Sequence, residues 1–222
     1  MYRSRSSITE VLRDISSFSA ELGLDLKREE DRLKWFIASI LFAKRISATI
    51  AKRTFRRLMD EGLADTDSIL KAGWDRLVEA LDSGGYVRYD FSTATNILEN
   101  IKRLKLEYRD LERLHEEACN SRDLESKLME FRGFGPTAVN IFLRELRGIW
   151  SKADPKPSSR ASEMAEFLGL ETREVEEFES SLIRIHLEFC KKSRCMECPV
   201  RVYCERKLLK SGFSARPARV KG

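Results

Sequence analysis

Four of the chain's five cysteines lie within one short stretch, CKKSRCMECPVRVYC, at Cys190, Cys195, Cys198 and Cys204. Four thiolates at such short spacing can enclose one [4Fe–4S] cluster or one zinc ion. Zinc sites usually contain two Cys-x2-Cys pairs, whereas this stretch contains one pair and two unequal arms. The spacing therefore favours the iron–sulfur cluster, with zinc as the alternative. Because few apolar residues are available to bury, we expect thiolate–metal bonds to order this loop.

The composition indicates a globular protein, since 42% of the residues are hydrophobic. No run approaches the roughly 20 apolar residues that a membrane-spanning helix needs, and the N-terminal stretch MYRSRSSITEVLRD lacks the apolar centre of a signal peptide. We therefore expect a cytoplasmic protein, associated with the nucleoid if it is prokaryotic, that does not enter the membrane. In that compartment clustered thiols are typical of metal ligands rather than of disulfides.

Charge adds a weaker indication of the partner. Lys and Arg total 41 against 36 Asp and Glu, which gives a net charge of +5. Residues 44–57 contain no acidic residue. Such a distribution favours an anionic partner, although a basic run is also typical of an ordinary solvated surface.

Hydrophobic periodicity predicts helices throughout the chain. Apolar residues recur at helical spacing, without two-residue alternation, over 66–82, 91–106, 110–119, 123–131, 136–147, 159–168 and 172–189. A buried helix over 35–42 is predicted to continue into the basic stretch, and helix starts are predicted near Asp65 and Thr172. Cys119 is predicted to be a core residue of an amphipathic helix. The prediction is an all-α fold of about ten helices.

One predicted connection between helices carries a glycine pattern, in the stretch FRGFGPTAVNIFLREL at 131–146. Gly133 and Gly135 precede Pro136, a residue suited to the first turn of a helix. A Gly-x-Gly turn can expose successive backbone N–H groups beside the positive end of the helix dipole, where a phosphate can bind. The alternative is a short corner between two helices in which glycine only permits close packing.

Together these stretches resemble the helix–hairpin–helix DNA glycosylases of the endonuclease III superfamily. RGFGPTAVNIFLREL resembles the family hairpin, and CKKSRCMECPVRVYC resembles its C-terminal iron–sulfur loop. The first gap between cysteines has four residues rather than the family's six, whereas the other two gaps match. WFIASILFAKRISATIAKRTF and GGYVRYDFSTATNILENIKRL are similar to the family's earlier helices, so the resemblance extends from about residue 30 to 206.

The resemblance implies a two-lobed helical fold. One lobe is a six-helix barrel over 30–146 that contains the hairpin, 131–146. The other joins 1–29 to 147–222 and carries the cluster loop, 190–204. Double-stranded DNA is the implied partner of a monomeric protein, and the [4Fe–4S] cluster is implied to be structural.

The resemblance also assigns candidate DNA contacts. The backbone at Gly133, Gly135, Thr137 and Ala138 would hold a phosphate. Lys44 and Arg45 occupy the wedge positions, where they would fill the space left by a flipped base or pair with phosphates; the alternative is plain surface charge. Basic residues of the cysteine loop would also contact phosphates: Arg201, Arg206 and Lys207, with Lys191, Lys192 and Arg194.

The catalytic positions depart from the family pattern. The lysine of bifunctional members is replaced by Thr137, so we expect no β-lyase activity through it, although Lys152 and Lys156 lie nearby as possible relocated amines. Counting forward from the hairpin places the essential carboxylate at Asp154. Counting back from the helix ending in FLGL places it at Ser158, which cannot supply a negative charge. The alternative for Asp154 is an Asp-Pro turn.

These observations predict a monofunctional DNA glycosylase that hydrolyses the N-glycosidic bond of a damaged or mismatched base. The alternatives are a catalytically impaired glycosylase-like protein that binds DNA lesions, and a zinc-stabilised helical interaction protein. Four aromatic residues are candidates to stack on a base, although each is also typical of a core: Trp35, Tyr86, Tyr89 and Phe131.

Overall fold

The computed structural model describes residues 5–205, and all the regular elements within that range are helical. The α-helices are α1 (Arg5–Arg13), α2 (Phe18–Glu21), α3 (Glu29–Phe42), α4 (Ala48–Asp60), α5 (Thr66–Ser83), α6 (Asp90–Arg103), α7 (Leu111–Glu117), α8 (Ser121–Met129), α9 (Pro136–Arg144), α10 (Ser159–Leu168) and α11 (Thr172–Ile185). Two π-helical turns, Leu104–Tyr108 and His186–Cys190, extend α6 and α11, and Cys195–Glu197 forms a 3₁₀ turn. The predicted all-α fold is confirmed.

None of the helices in the described range combines the length and the apolar character that crossing a bilayer requires.

The chain forms two compact units. The central unit runs from Ser17 to Lys156, and the terminal unit combines the segment up to Ser16 with the segment from Pro157 onward. The central unit is therefore longer at both ends than the predicted 30–146. At its N-terminal end, the backbone N–H groups of Phe18 and Ser19 donate to the Glu145 carboxylate at 3.1 and 2.9 Å, which ties α2 to the residue that follows α9.

The core of the central unit is organised around α3, which is apolar on all sides from Trp35 to Leu41, apart from Ser39. Ser39 turns its hydroxyl back to the carbonyl of Trp35 at 2.8 Å, so the helix itself satisfies it. Phe36 of α3 stacks on Phe134 with ring centroids 4.6 Å apart, and contacts Phe131 and Phe142 edge-on. This aromatic cluster fixes the connection between α8 and α9 against the centre of the unit.

The terminal unit has a separate, smaller core formed by α1, α10, α11 and the cysteine loop. Leu12, Leu182 and Val200 are fully buried there. Ser181 of α11 donates to the carbonyl of Leu12 at 2.9 Å, which fixes α1 against α11. The two ends of the sequence therefore form one core around which the cysteines are arranged.

Two details of the predicted helices are wrong. The helix over 35–42 does not continue into the basic stretch: α3 ends at Phe42, and Ser47 caps a new helix by accepting the N–H of Ile50 at 3.2 Å. Cys119 is exposed rather than buried, because α7 ends at Glu117 and Asn120 already caps α8 by accepting the N–H of Asp123. In both places a polar side chain caps a new helix at a point that the hydrophobic periodicity does not predict.

Candidate nucleic-acid interface and metal site

The turn between α8 and α9 is held by a buried amide that sequence reasoning missed. Asn100 of α6 is almost fully buried, and its side chain donates to the carbonyl of Arg132 at 2.9 Å while accepting the N–H of the same residue at 2.7 Å. Asn96 lies one helical turn earlier and approaches Gly133. The only signal in the sequence is a pair of asparagines at i and i+4 beside the apolar residues of α6, and such a pair is also typical of a solvent-facing surface.

The turn leaves backbone donors at the start of α9. Gly133, Gly135 and Thr137 are exposed. The N–H of Val139 donates to the carbonyl of Gly135, but no acceptor within the described residues faces the N–H groups of Gly133, Gly135, Thr137 and Ala138. Ala138 is buried, so the unpaired donors that an anion can reach directly are those of the exposed Gly133, Gly135 and Thr137.

The two glycines of the turn have different roles. Gly133 has φ +71°, and a Cβ there would lie 2.3 Å from the Asn96 side-chain nitrogen. Gly135 has the ordinary extended values φ −76° and ψ −175°, and a Cβ there would point into open space. Gly133 is therefore required by the fold, whereas Gly135 is not.

We expect Gly133→Ala to lower the free energy of unfolding by about 1–3 kcal/mol, because alanine disfavours positive φ and displaces Asn96. Urea unfolding of the two variants Gly133→Ala and Gly135→Ala would measure it, with Gly135→Ala expected to remain within about 1 kcal/mol of wild type. Equal stability of the two variants would contradict this account of the turn.

Asp154 lies on an exposed loop that α9 helps to hold. The carbonyl of Pro155 accepts a hydrogen bond from Arg147 at 2.6 Å, and the carbonyl of Lys156 accepts one from Asn140 at 3.1 Å. Asn140 is three residues beyond Thr137, one turn along the same helix. The loop that carries Asp154 is therefore held at a position on α9 one helical turn beyond the unpaired amides.

Ser158, the other predicted catalytic position, caps a helix in the terminal unit. Its hydroxyl accepts the N–H of Ala161 at 3.4 Å, and its own N–H donates to the fully buried carboxylate of Glu179 at 2.8 Å. These bonds account for a serine at this position without a catalytic role.

Lys44 and Arg45 lie in the loop between α3 and α4. Arg45 is exposed and Lys44 half-buried, and neither side chain has a hydrogen bond or ion pair within residues 5–205. Three other cations of the basic stretch are bonded inside the central unit: Lys52 to Glu21 at 2.7 Å, Arg53 to the carbonyl of Gly84 at 2.7 Å, and Arg57 to Glu61 at 2.6 Å. Lys44 and Arg45 are therefore available to an external anion.

The aromatic candidates for base stacking are mostly core residues. Trp35, Tyr86 and Phe131 are buried, and the Tyr86 hydroxyl donates to the carbonyl of Leu41 at 2.7 Å. Burial raises the pKa of that hydroxyl well above its ordinary value. Tyr89 alone among the four is partly exposed.

The cysteine loop begins where α11 changes into a π-helical turn that ends at Cys190. The Cys190 sulfur lies 3.8 Å from that of Met164 in α10. After Cys204, the N–H of Glu205 donates to the carbonyl of Phe167 at 2.9 Å, which returns the chain to α10. Cys190, Cys198 and Cys204 pack against the apolar core of the terminal unit, and none of the four cysteines of the loop is in a disulfide within the described residues.

The thiols influence one another electrostatically. Burial raises the pKa of the Cys198 thiol to about 11, opposed by the N–H of Val200, and the negative charges of Cys190, Cys204 and Cys195 add to the rise. Within residues 5–205, no three His, Cys, Asp or Glu side chains are already arranged to hold a metal ion. The thiols can therefore affect the pKa of Cys198 without lying close enough to share a metal ion, because charge acts over longer distances than a metal–sulfur bond of about 2.3 Å.

The donor set is of a type that binds metals, since four half-buried thiols lie on one short loop beside an apolar core. Metal binding would replace their protons and draw the sulfurs together.

The surface of the loop carries several cations. Lys191, Lys192 and Arg201 are exposed and have no acidic partner in the described range, whereas Arg194 forms an ion pair with Glu197. Arg206 and Lys207, also predicted to contact phosphates, lie outside the described residues.

No protein-family model matches this chain, and no curated protein is found to match it.

Proposed function

We propose that the protein is a DNA-repair enzyme, a monofunctional glycosylase that removes a damaged or mismatched base from double-stranded DNA in the cytoplasm. In this proposal the central unit corresponds to the six-helix barrel of the helix–hairpin–helix glycosylases, and the terminal unit carries the iron–sulfur loop. The observation that supports it best is the exposed turn at Gly133 and Gly135, with unpaired amides at the start of the helix that also holds the Asp154 loop.

The chemistry assigned to Asp154 is electrostatic. As the bond between the sugar C1′ and the base breaks, positive charge develops on the sugar, and a carboxylate stabilises that charge. Water then forms the new bond to C1′ and loses a proton, for which Asp154 is the acceptor. The bond electrons leave with the base, which takes up a proton.

The absence of a lyase step is supported by two residues. Thr137 cannot form a Schiff base. Of the two possible relocated amines, Lys152 is hydrogen-bonded to the carbonyls of His115 and Glu116 at 2.7 and 3.0 Å, whereas Lys156 is exposed.

A [4Fe–4S] cluster held by Cys190, Cys195, Cys198 and Cys204 would order the loop and present Lys191, Lys192 and Arg201 to DNA phosphates. When bound, it supplies structural cross-linking rather than base-excision chemistry.

Gly135→Asp tests the phosphate site. Aspartate is a preferred N-cap residue, and its carboxylate would accept the N–H groups of Thr137 and Ala138 that we assign to a phosphate. We expect stability to be retained and duplex affinity to fall by at least about tenfold, because the new charge repels the DNA backbone. Gly135→Asn is the matched neutral cap. Equal duplex binding by wild type and the aspartate variant, measured by fluorescence anisotropy at two salt concentrations, would refute the assignment.

A second function is favoured by one observation. The Asp154 side chain is exposed to solvent, whereas charge stabilisation is strongest in a site from which water is excluded. A lesion-binding protein without catalysis would share the phosphate site and release no base from any substrate.

A further inference from the structure

Lys152 ties the Asp154 loop to the end of a second helix, α7. Its ammonium group contacts the carbonyls of His115 and Glu116, which belong to the last turn of α7. Carbonyls in a last helical turn have no partner within the helix, and a cation there is also favoured by the helix dipole. The chain is thus anchored two residues before Asp154.

Trp150 provides a second anchor. It is buried, and its indole stacks on the His115 imidazole with ring centroids 4.7 Å apart and planes 5° from parallel. The indole N–H donates to Glu112 at 3.1 Å, and the other oxygen of that carboxylate accepts from buried Arg32 at 2.5 Å. The stack is therefore attached to the core of the central unit.

Along the chain, Asp154 lies between these anchors and two that come from α9 and from the turn after it. Beyond it, Arg147 and Asn140 hold the carbonyls of Pro155 and Lys156. The N–H of Asp154 donates to the carbonyl of Lys152 at 3.1 Å. The backbone at Asp154 is thus fixed from both directions, whereas its carboxylate is exposed.

We propose that Lys152 and His115 are positioning residues for Asp154, holding the backbone that carries its carboxylate in one place before DNA binds. The part of this inference that concerns reaction rate rests on the proposed function. The part that concerns the loop does not.

The contacts of Lys152 with His115 and with the end of α7 form a clamp on the Asp154 loop. Protonation of His115 should weaken this clamp. Lys152 faces it from the loop, Arg32 from α3, and Glu112 and Glu116 from its own helix. Burial, then Lys152, then Arg32 lower the pKa of His115, and Glu116 opposes them. Only neutral His115 can accept, at its Nε2 atom, the hydrogen bond from the backbone N–H of Lys152, which lies 3.4 Å away. Because the folded pKa of His115 lies below the ordinary value of about 6.5, this contribution is fully present above that pH and is lost as the pH falls through the lowered pKa.

The first experiment compares Lys152→Met with Lys102→Met, which removes one exposed lysine elsewhere in the central unit. Hydrogen exchange at the amides of Ala153 and Asp154 measures the loop, and single-turnover base release measures the chemistry. In Lys152→Met we expect exchange to be at least about tenfold faster and base release about 10²-fold slower, with duplex affinity within about twofold. Lys102→Met should match wild type.

The second experiment replaces His115 by phenylalanine, which keeps a ring against Trp150 but cannot titrate. From about pH 7.5 to pH 5.5, exchange at Asp154 relative to its intrinsic rate should increase in wild type and remain level in His115→Phe. Identical pH profiles would overturn the role of His115.

Unchanged exchange in Lys152→Met would overturn the clamp as a whole. Faster exchange in a protein whose wild type releases no base from any lesion would support the clamp and refute the proposed glycosylase activity. The two proposals therefore fail by different measurements.

Discussion

Asp154→Asn is expected to lower the rate of base release by about 10³-fold while leaving duplex affinity within about twofold. The substitution keeps the shape of the side chain and removes its charge, so the developing positive charge on the sugar loses its stabilising partner and water loses its proton acceptor. The phosphate contacts assigned to the α8–α9 turn are untouched. The effect should therefore appear in the chemical step and not in binding.

The measurement is single-turnover cleavage of duplexes that carry different damaged or mismatched bases, scored before and after alkali. Strand breaks that appear only after alkali indicate base release without lyase activity. Ser158→Ala is the matched control, since it removes the α10 cap at a cost of about 1 kcal/mol and should retain base release. Full activity in Asp154→Asn would exclude Asp154 as the catalytic carboxylate.

Cys198→Ser is expected to have the largest effect on the terminal unit. Cys198 packs against the apolar core of the unit, and burial together with the neighbouring thiols raises its pKa. Its loss should remove bound iron and the visible absorbance near about 400 nm, and it should destabilise the unit by several kcal/mol, on the order of a structural metal site. Duplex affinity should fall with it, because the loop that presents Lys191, Lys192 and Arg201 would no longer be ordered.

Cys119→Ser provides the control, since Cys119 is an exposed free thiol of the central unit. It should retain iron, colour and thermal stability. A colourless wild-type protein with stoichiometric zinc would replace the iron–sulfur assignment by the zinc alternative. Retention of full iron content by Cys198→Ser would exclude Cys198 as a ligand.

The sequence predicted most of the helices because their signals are local. The helix predicted over 159–168 has the observed bounds of α10, and Asp65 caps α5 by accepting the N–H groups of Asp67 and Ser68. Prediction was less successful where the backbone of a helix departs from regular α-helical geometry. The π-helical turns after α6 and α11 and the positive φ of Gly73 inside α5 carry no distinct periodicity.

The anchors of the candidate site are less visible in a sequence because they are long-range. Gly133 and Asp154 belong to recognisable local patterns, whereas Asn100 and His115 act on segments more than thirty residues away. Isolated polar residues in amphipathic helices most often face solvent. Only the packing of α6 and α7 against the rest of the central unit reveals that these two side chains hold the turn and the Asp154 loop.

Asn100 also explains how a turn without regular structure is held in one conformation. Its side-chain amide offers Arg132 one donor and one acceptor, the same two groups that a neighbouring strand offers in a sheet. The helix thus supplies a substitute peptide group to a segment that has no strand beside it. Aspartate has nearly the same shape but no donor, and its charge would face the Arg132 carbonyl. The requirement at this position is therefore for a peptide-like group, not for a residue of a given size or polarity.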